Sequence, residues 1–213
     1  MVNDLKDIMK GTGSMPFQYK IGSERHRLRE IRRDAEDGEK ALAKIEEATR
    51  IADEKKVNKE MSNFIKKLNK IAYSTQVAEM RMIERCNDVG DLLLKKKVEA
   101  PTEFISARKT IKELTRHEFD LARRALGRES ASLALKLKLI SPKRVKARLD
   151  EIQLWRRQAA EQVKVQKKMM KEIKKDKFEG SIKDFSDAVI KEMKLLNAVL
   201  SNCVTLFIEM EKR

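Results

Sequence analysis

The chain has 213 residues, 39% of them charged and 41% apolar, with only 7 Gly, 3 Pro and an aromatic share of 5%. So little turn-forming material over this length excludes a many-turned, strand-rich fold and predicts few, long helices. The net charge of +15 points to an anionic partner. No apolar run is long enough to span a bilayer or to serve as a signal segment, so neither a spanning helix nor a secretory route is expected.

Residues 1–22 carry Val2, Leu5, Ile8 and Met9 and then Gly11, Gly13, Pro16 and Gly22. This pattern predicts a flexible tail with a short amphipathic helix that lacks a basic polar face. Ser23 is an N-cap candidate, and Leu28, Ile31, Ala35, Gly38, Leu42, Ile45, Thr49 and Ala52 follow it at 3,4 spacing. That spacing predicts the first helix, with small residues where a neighbour can approach. A break is expected near Asp53–Asn58, although no Gly or Pro marks it.

The second stripe runs through Met61, Phe64, Leu68, Ile71, Thr75, Ala78, Met82, Cys86, Val89 and Leu93. Pro101 falls inside the continuing pattern and predicts a kink rather than an end. Phe104, Ala107, Ile111, Leu114, Leu121 and Ala125 carry the seam onward. Gly127 and Pro142 bracket a tip in which Leu133, Leu135, Leu137 and Leu139 alternate with Lys136 and Lys138, followed by Ile140. Those leucines either enter a lipid headgroup zone or stay partly in the core; the pattern leaves both open.

Pro142 suits the first turn of a third helix, continued by Val145, Leu149, Ile152, Trp155, Ala159, Val163, Met170 and Ile173. Phe178-Glu179-Gly180 loosens it before the most regular stripe of the chain: Ile182, Phe185, Val189, Met193, Leu196, Leu200, Cys203, Phe207 and Met210. Two helices of about 70 residues would each approach about 100 Å. The expected fold is therefore all-α, an elongated antiparallel three-helix coiled coil over residues 23–213.

Charge is concentrated along this scaffold. Residues 1–55 hold 12 basic and 12 acidic groups, whereas 136–177 hold 15 Lys/Arg against 5 Asp/Glu. A block so basic suits a phosphate-bearing surface, lipid or nucleic acid. Lys109, Arg116 and Arg123 recur every seven residues with Lys112 alongside; Arg157, Lys164, Lys168, Lys171 and Lys175 form a second stripe; Lys136, Lys138, Lys143, Arg144, Lys146 and Arg148 crowd the tip. These are the candidate lipid-binding residues. Cys86 and Cys203 lie far apart on helical positions, and His26 and His117 sit among charged residues. No metal-ligand spacing, Gly-rich phosphate loop or nucleophile–base pairing is present, so no metal, cofactor or catalytic residue is assigned and an enzyme is not expected. Reduced thiols suit a cytoplasmic protein.

Three stretches together resemble the BAR domain superfamily, dimeric curved modules that bind and shape membranes. Met82 through Val89-Gly90-Asp91-Leu92-Leu93 to Pro101 is similar to that family's proline-containing bend in its second helix. Ile105-Ser106-Ala107-Arg108-Lys109 to His117-Glu118-Phe119-Asp120-Leu121-Ala122 resembles its basic stretch, and Lys177-Phe178 to Asp184-Phe185 with Ile190 and Leu195-Leu196 resembles its passage into a dimer interface. The first helix is short for the family.

The resemblance implies a homodimer forming a curved six-helix bundle, with Phe185, Val189, Leu196, Leu200 and Phe207 in its interface. It implies a scaffold that senses or generates curvature, bound from the cytosolic side to phosphatidylserine or phosphoinositides through its basic arms. The alternatives are a basic coiled coil that binds nucleic acid, or a cytoskeletal or adaptor scaffold. The scarcity of aromatic residues on the basic face argues against nucleic acid.

Overall fold

The Ser23 side chain accepts the His26 amide at 3.3 Å, satisfying a donor that every helix start leaves free. The computed structural model describes residues 23–126 and 141–211. In them the chain is all-α: α1 (Glu24–Arg50), α2 (Glu54–Lys95), α3 (Thr102–Leu126), α4 (Pro142–Lys174) and α5 (Ser181–Glu211). The N-terminal tail and the tip with Leu133, Leu135, Lys136, Leu137, Lys138, Leu139 and Ile140 lie outside the described residues.

Three of the helices stop by the same device. After α1, the Asp53 amide donates to the Ala48 carbonyl at 2.9 Å and the Ala52 amide to Thr49 at 3.2 Å. After α2, Val98 donates to Leu93 and Lys97 to Leu94, both at 3.0 Å; after α4, Lys177 and Asp176 donate to Glu172 and Ile173, both at 3.1 Å. This paired 6→1 and 5→2 pattern is the Schellman cap, and its turning residue adopts a left-handed backbone. Here that residue is Ala52 (φ 54°), Lys97 (φ 55°) or Asp176 (φ 63°), never glycine.

These caps correct two expectations. The first break falls at Ile51–Asp53, just before the expected position, and Asp53 then caps α2 by accepting the Lys56 amide at 3.0 Å. Pro101 kinks nothing: α2 has already ended at Lys95, and Pro101 precedes α3, its carbonyl accepting the Phe104 amide at 3.0 Å. The Phe178–Gly180 stretch likewise separates two helices instead of loosening one. Among the described residues the three long rods are therefore five shorter helices, of which α2 at 42 residues is about 63 Å long.

The helices fold back as hairpins. Lys67 reaches Asp34 at 3.2 Å and Asp37 at 2.7 Å, and Lys56 reaches Glu47 at 3.3 Å, which sets α2 antiparallel to α1. Gln166 reaches Glu192 at 2.6 Å while Asn202 reaches Glu151 at 2.8 Å, which sets α5 antiparallel to α4. With α2 packed on α5 and α1 on α4, the four make a bundle whose cyclic order is α1, α2, α5, α4; α3 packs against α5 and α2.

Every α2 position expected in the seam is buried, from Met61 to Leu93. In α1 the seam runs through Leu28, Ile31 and Ala35 and then shifts to Ala41 and Ala48, leaving Leu42 and Ile45 half-buried. Phe185, Val189, Leu196, Leu200 and Phe207 are at most 3% exposed within the single chain. The expected dimer interface is thereby corrected: their stripe meets α2, α3 and α4 of its own chain, and a second copy could reach it only if the bundle opened.

Between the two apolar clusters lies a polar layer with one residue from each bundle helix. Arg85 of α2 donates to Glu24 of α1 through both terminal nitrogens, to Gln166 of α4 and, at 3.0 Å, to Glu192 of α5. One guanidinium thus serves two buried carboxylates. Burial and the negative charge of Glu24 push the Glu192 carboxyl well above the usual glutamate range.

Candidate anionic-surface interface

The apolar and basic periods of α4 divide its circumference. Leu149, Ile152, Ala159, Val163 and Ile173 face the core and are at most 5% exposed. The outer face exposes nine Lys/Arg, namely Lys143, Arg144, Lys146, Arg157, Lys164, Lys167, Lys168, Lys171 and Lys174, against two acids, Asp150 and Glu161. Residues seven apart share a helix face, so Arg157, Lys164 and Lys171 form one row, with Lys167 and Lys174 beside it. Exposed Lys175 follows at the cap.

The structure sorts the expected residues. Lys143, Arg144, Lys146, Arg157, Lys164, Lys168, Lys171 and Lys175 are exposed together along α4 and its cap, with Lys164 held by Glu161 at 2.8 Å. Arg148 is turned to internal use: half-buried, it donates to Asn202 of α5 at 2.9 Å and lies 3.5 Å from Glu151. It ties the α4–α5 hairpin together, which leaves this expected lipid-binding residue less available to an outside anion than its exposed neighbours. Lys109 and Lys112 are exposed, but α3 packs on the α2–α5 edge, across the bundle from the α1–α4 edge, so they do not join the α4 stripe. Arg116 and Arg123 belong to α3, with side chains outside the described residues, as are Lys136 and Lys138.

The same arrangement brings up residues that the sequence pattern left aside. Lys167 and Lys174 complete the α4 face. Beside it, α1 exposes Arg25, Arg29, Arg32 and Arg33, while its acids Glu24 and Asp34 are 4% and 2% exposed and engaged inward with Arg85 and Lys67. Gln153 of α4 donates to the Arg32 carbonyl at 3.0 Å, so the arginines of α1 flank the basic face of α4. The α1–α4 edge is predominantly basic, interrupted by exposed Glu36, which lies 3.5 Å from Arg32, and by exposed Asp150.

No other chemistry competes for this surface among the described residues. No cluster of His, Cys, Asp and Glu there could hold a metal ion. His26 is exposed, 3.4 Å from Glu30. Both thiols are buried and unpaired, and burial pushes Cys86 and Cys203 up to about 12, far from reactive thiolates. No described helix is long and apolar enough to cross a membrane. The chain matches no family model, no curated protein and no solved structure.

Proposed function

We propose that this chain is a peripheral membrane-binding protein of the cytosolic face, whose bundle lies on an anionic leaflet through its α1–α4 edge. The observation that carries the reading is the outer face of α4, nine exposed cations against two acids on a helix whose opposite face is core. Each Lys or Arg near a phosphatidylserine- or phosphoinositide-bearing surface contributes about 1 kcal/mol. A row of them binds with no pocket at all, over a screening distance of about 8 Å at physiological salt. The packed core behind the face already fixes the helix that carries these charges, so docking orders little backbone.

The resemblance to BAR domains supplies a stronger form of this reading, a homodimer that senses or generates curvature. That form needs Phe185, Val189, Leu196, Leu200 and Phe207 to leave the core of their own chain, so docking is proposed for the bundle as it folds. The test is liposome cosedimentation at graded phosphatidylserine content and graded salt. Lys167→Glu/Lys168→Glu/Lys171→Glu removes three attractions and adds three repulsions, so binding should fall by at least about 100-fold while helicity is kept. Unchanged binding of that variant would overturn the assignment. Tight, salt-sensitive capture of duplex RNA or DNA with no liposome binding would transfer the face to nucleic acid.

A further inference from the structure

Arg156 is poorly satisfied for a residue that takes no ligand. It is half-buried on α4, and its Nε atom is buried with no hydrogen-bond partner. Burial first, and then the positive charges of Arg32 and Arg157, hold its guanidinium below the ordinary arginine value, against a smaller opposing pull from Glu36. A fold that sets three like charges together, one of them partly out of water, bears a repulsion that an anion would relieve.

The register behind this cluster comes from the hydrogen bond of Gln153 to the Arg32 carbonyl. Arg156 and Arg157 follow Gln153 by one turn, and α4 runs antiparallel to α1, so that turn lies alongside Arg32 and Arg29. Arg29 and Arg157 are exposed and have no ion pair among the described residues. Arg32 has only Glu36, at 3.5 Å in an exposed pair, a weak competitor for the site.

We propose that Arg29, Arg32, Arg156 and Arg157 form a binding site for a phosphate-ester dianion at the α1–α4 seam, the group carried by a phosphorylated inositol headgroup or by a free inositol phosphate. Arginine is the residue type for this task. Its planar fork takes two phosphate oxygens at once, where the lysines along α4 act as point charges that register only net charge. Trp155, the ring next to Arg156 in sequence, is half-buried and packs on the core, so it offers no free platform for stacked bases. The site shares an edge with the proposed membrane face but does not rest on it, because a free ligand can occupy it.

Calorimetric titration with inositol trisphosphate tests the site without a membrane. The wild type should bind, and Arg32→Gln/Arg156→Gln should bind at least about tenfold more weakly. Arg156→Lys, which keeps the charge and loses the fork, should lose most of the same affinity, whereas Lys167→Gln/Lys168→Gln should change it little. Helicity by circular dichroism should match across the set, since every substituted side chain is exposed or half-exposed. A second arm compares vesicles of phosphatidylserine and of phosphoinositide at equal total charge. Preference for phosphoinositide without binding of the free ester would identify the lipid as the source. Binding of the free ester with no binding to either vesicle would keep the site and overturn the membrane reading. The site itself falls if Arg156→Lys binds like the wild type, if the lysine variant loses as much as the arginine variant, if duplex RNA displaces the ester at lower concentration than the ester displaces itself, or if the wild type neither binds the ester nor distinguishes the vesicles.

Discussion

Replacing Glu192 by glutamine should change how stability depends on pH, in a direction the polar layer dictates. Glu192 is 0% exposed; its Oε2 accepts from Arg85 at 3.0 Å and from Gln166 at 2.6 Å, while its Oε1 is buried without a partner. Desolvation first, then the charge of Glu24, raise its pKa in the fold well above the glutamate value of 4.5. Between those two values the folded chain holds a proton that the unfolded chain has lost. Stability from this group is therefore complete below about pH 4.5 and falls as pH rises, by up to about 1.4 kcal/mol per pH unit until the folded pKa is passed.

Glutamine keeps an oxygen for Arg85 and Gln166 and cannot ionise, so the variant should lack that slope. Urea denaturation of both proteins at matched points from about pH 4 to about pH 9 reads the difference directly. The variant's advantage should be flat at the acid end and grow with pH. Asp37, held below the usual range chiefly by its hydrogen bond to Lys67, has the opposite sign and loses its contribution as pH falls. It is present in both proteins and cancels. Parallel stability curves would mean that Glu192 is ionised in the fold, and the account of a carboxyl kept protonated by burial beside Glu24 would fail.

Removing the guanidinium instead, by Arg85→Met, leaves Glu24 and Glu192 buried without their cation; it should cost about 3–5 kcal/mol near neutral pH and less in acid, in the same denaturation assay. Glycine at the caps should help: Ala52→Gly and Lys97→Gly each relieve a left-handed alanine or lysine and should raise stability by up to about 1 kcal/mol, whereas Gly180→Ala, at φ 74°, should lower it by a similar amount in thermal unfolding. Leu196→Asp/Leu200→Asp should unfold the chain, at a cost above about 3 kcal/mol. Melting that does not depend on protein concentration marks this as a core effect; conversion of a folded dimer into a folded monomer in light scattering would restore the stripe to an interface between copies.

What the sequence made legible follows from what periodicity encodes. A 3,4 repeat states that one face of a helix is buried, and for α2 it named that face correctly at every position from Met61 to Leu93. It does not state what covers the face. The stripe from Ile182 to Phe207 fits a second chain as well as a hairpin partner, and only the position of the turn before it decides. That turn is a Schellman cap with Asp176 in the left-handed position, as the caps at Ala52 and Lys97 are. Glycine is the signal by which such stops are recognised, and here the hydrogen-bond pattern forms without it. Unmarked stops let helices look twice as long as they are, and an elongated coil was the consequence.

The basic face was legible in one half and hidden in the other for a related reason. In α4 most acids are absent, so counting residues along the chain already revealed the excess. In the first half of α1 two acids are turned inward, Glu24 to Arg85 and Asp34 to Lys67, and the half-buried Glu30 accepts from the buried Arg27 at 2.6 Å. Averaged over residues 1–55 the charge is balanced, yet residues 24–37 expose Arg25, Arg29, Arg32 and Arg33 against one exposed acid, Glu36. Bulk charge describes a segment, whereas an approaching anion meets only the groups left outside after the core has taken its partners. The buried polar layer and the exposed arginine edge are in this sense one feature: by drawing Glu24 inward, Arg85 helps to leave the α1–α4 seam positive.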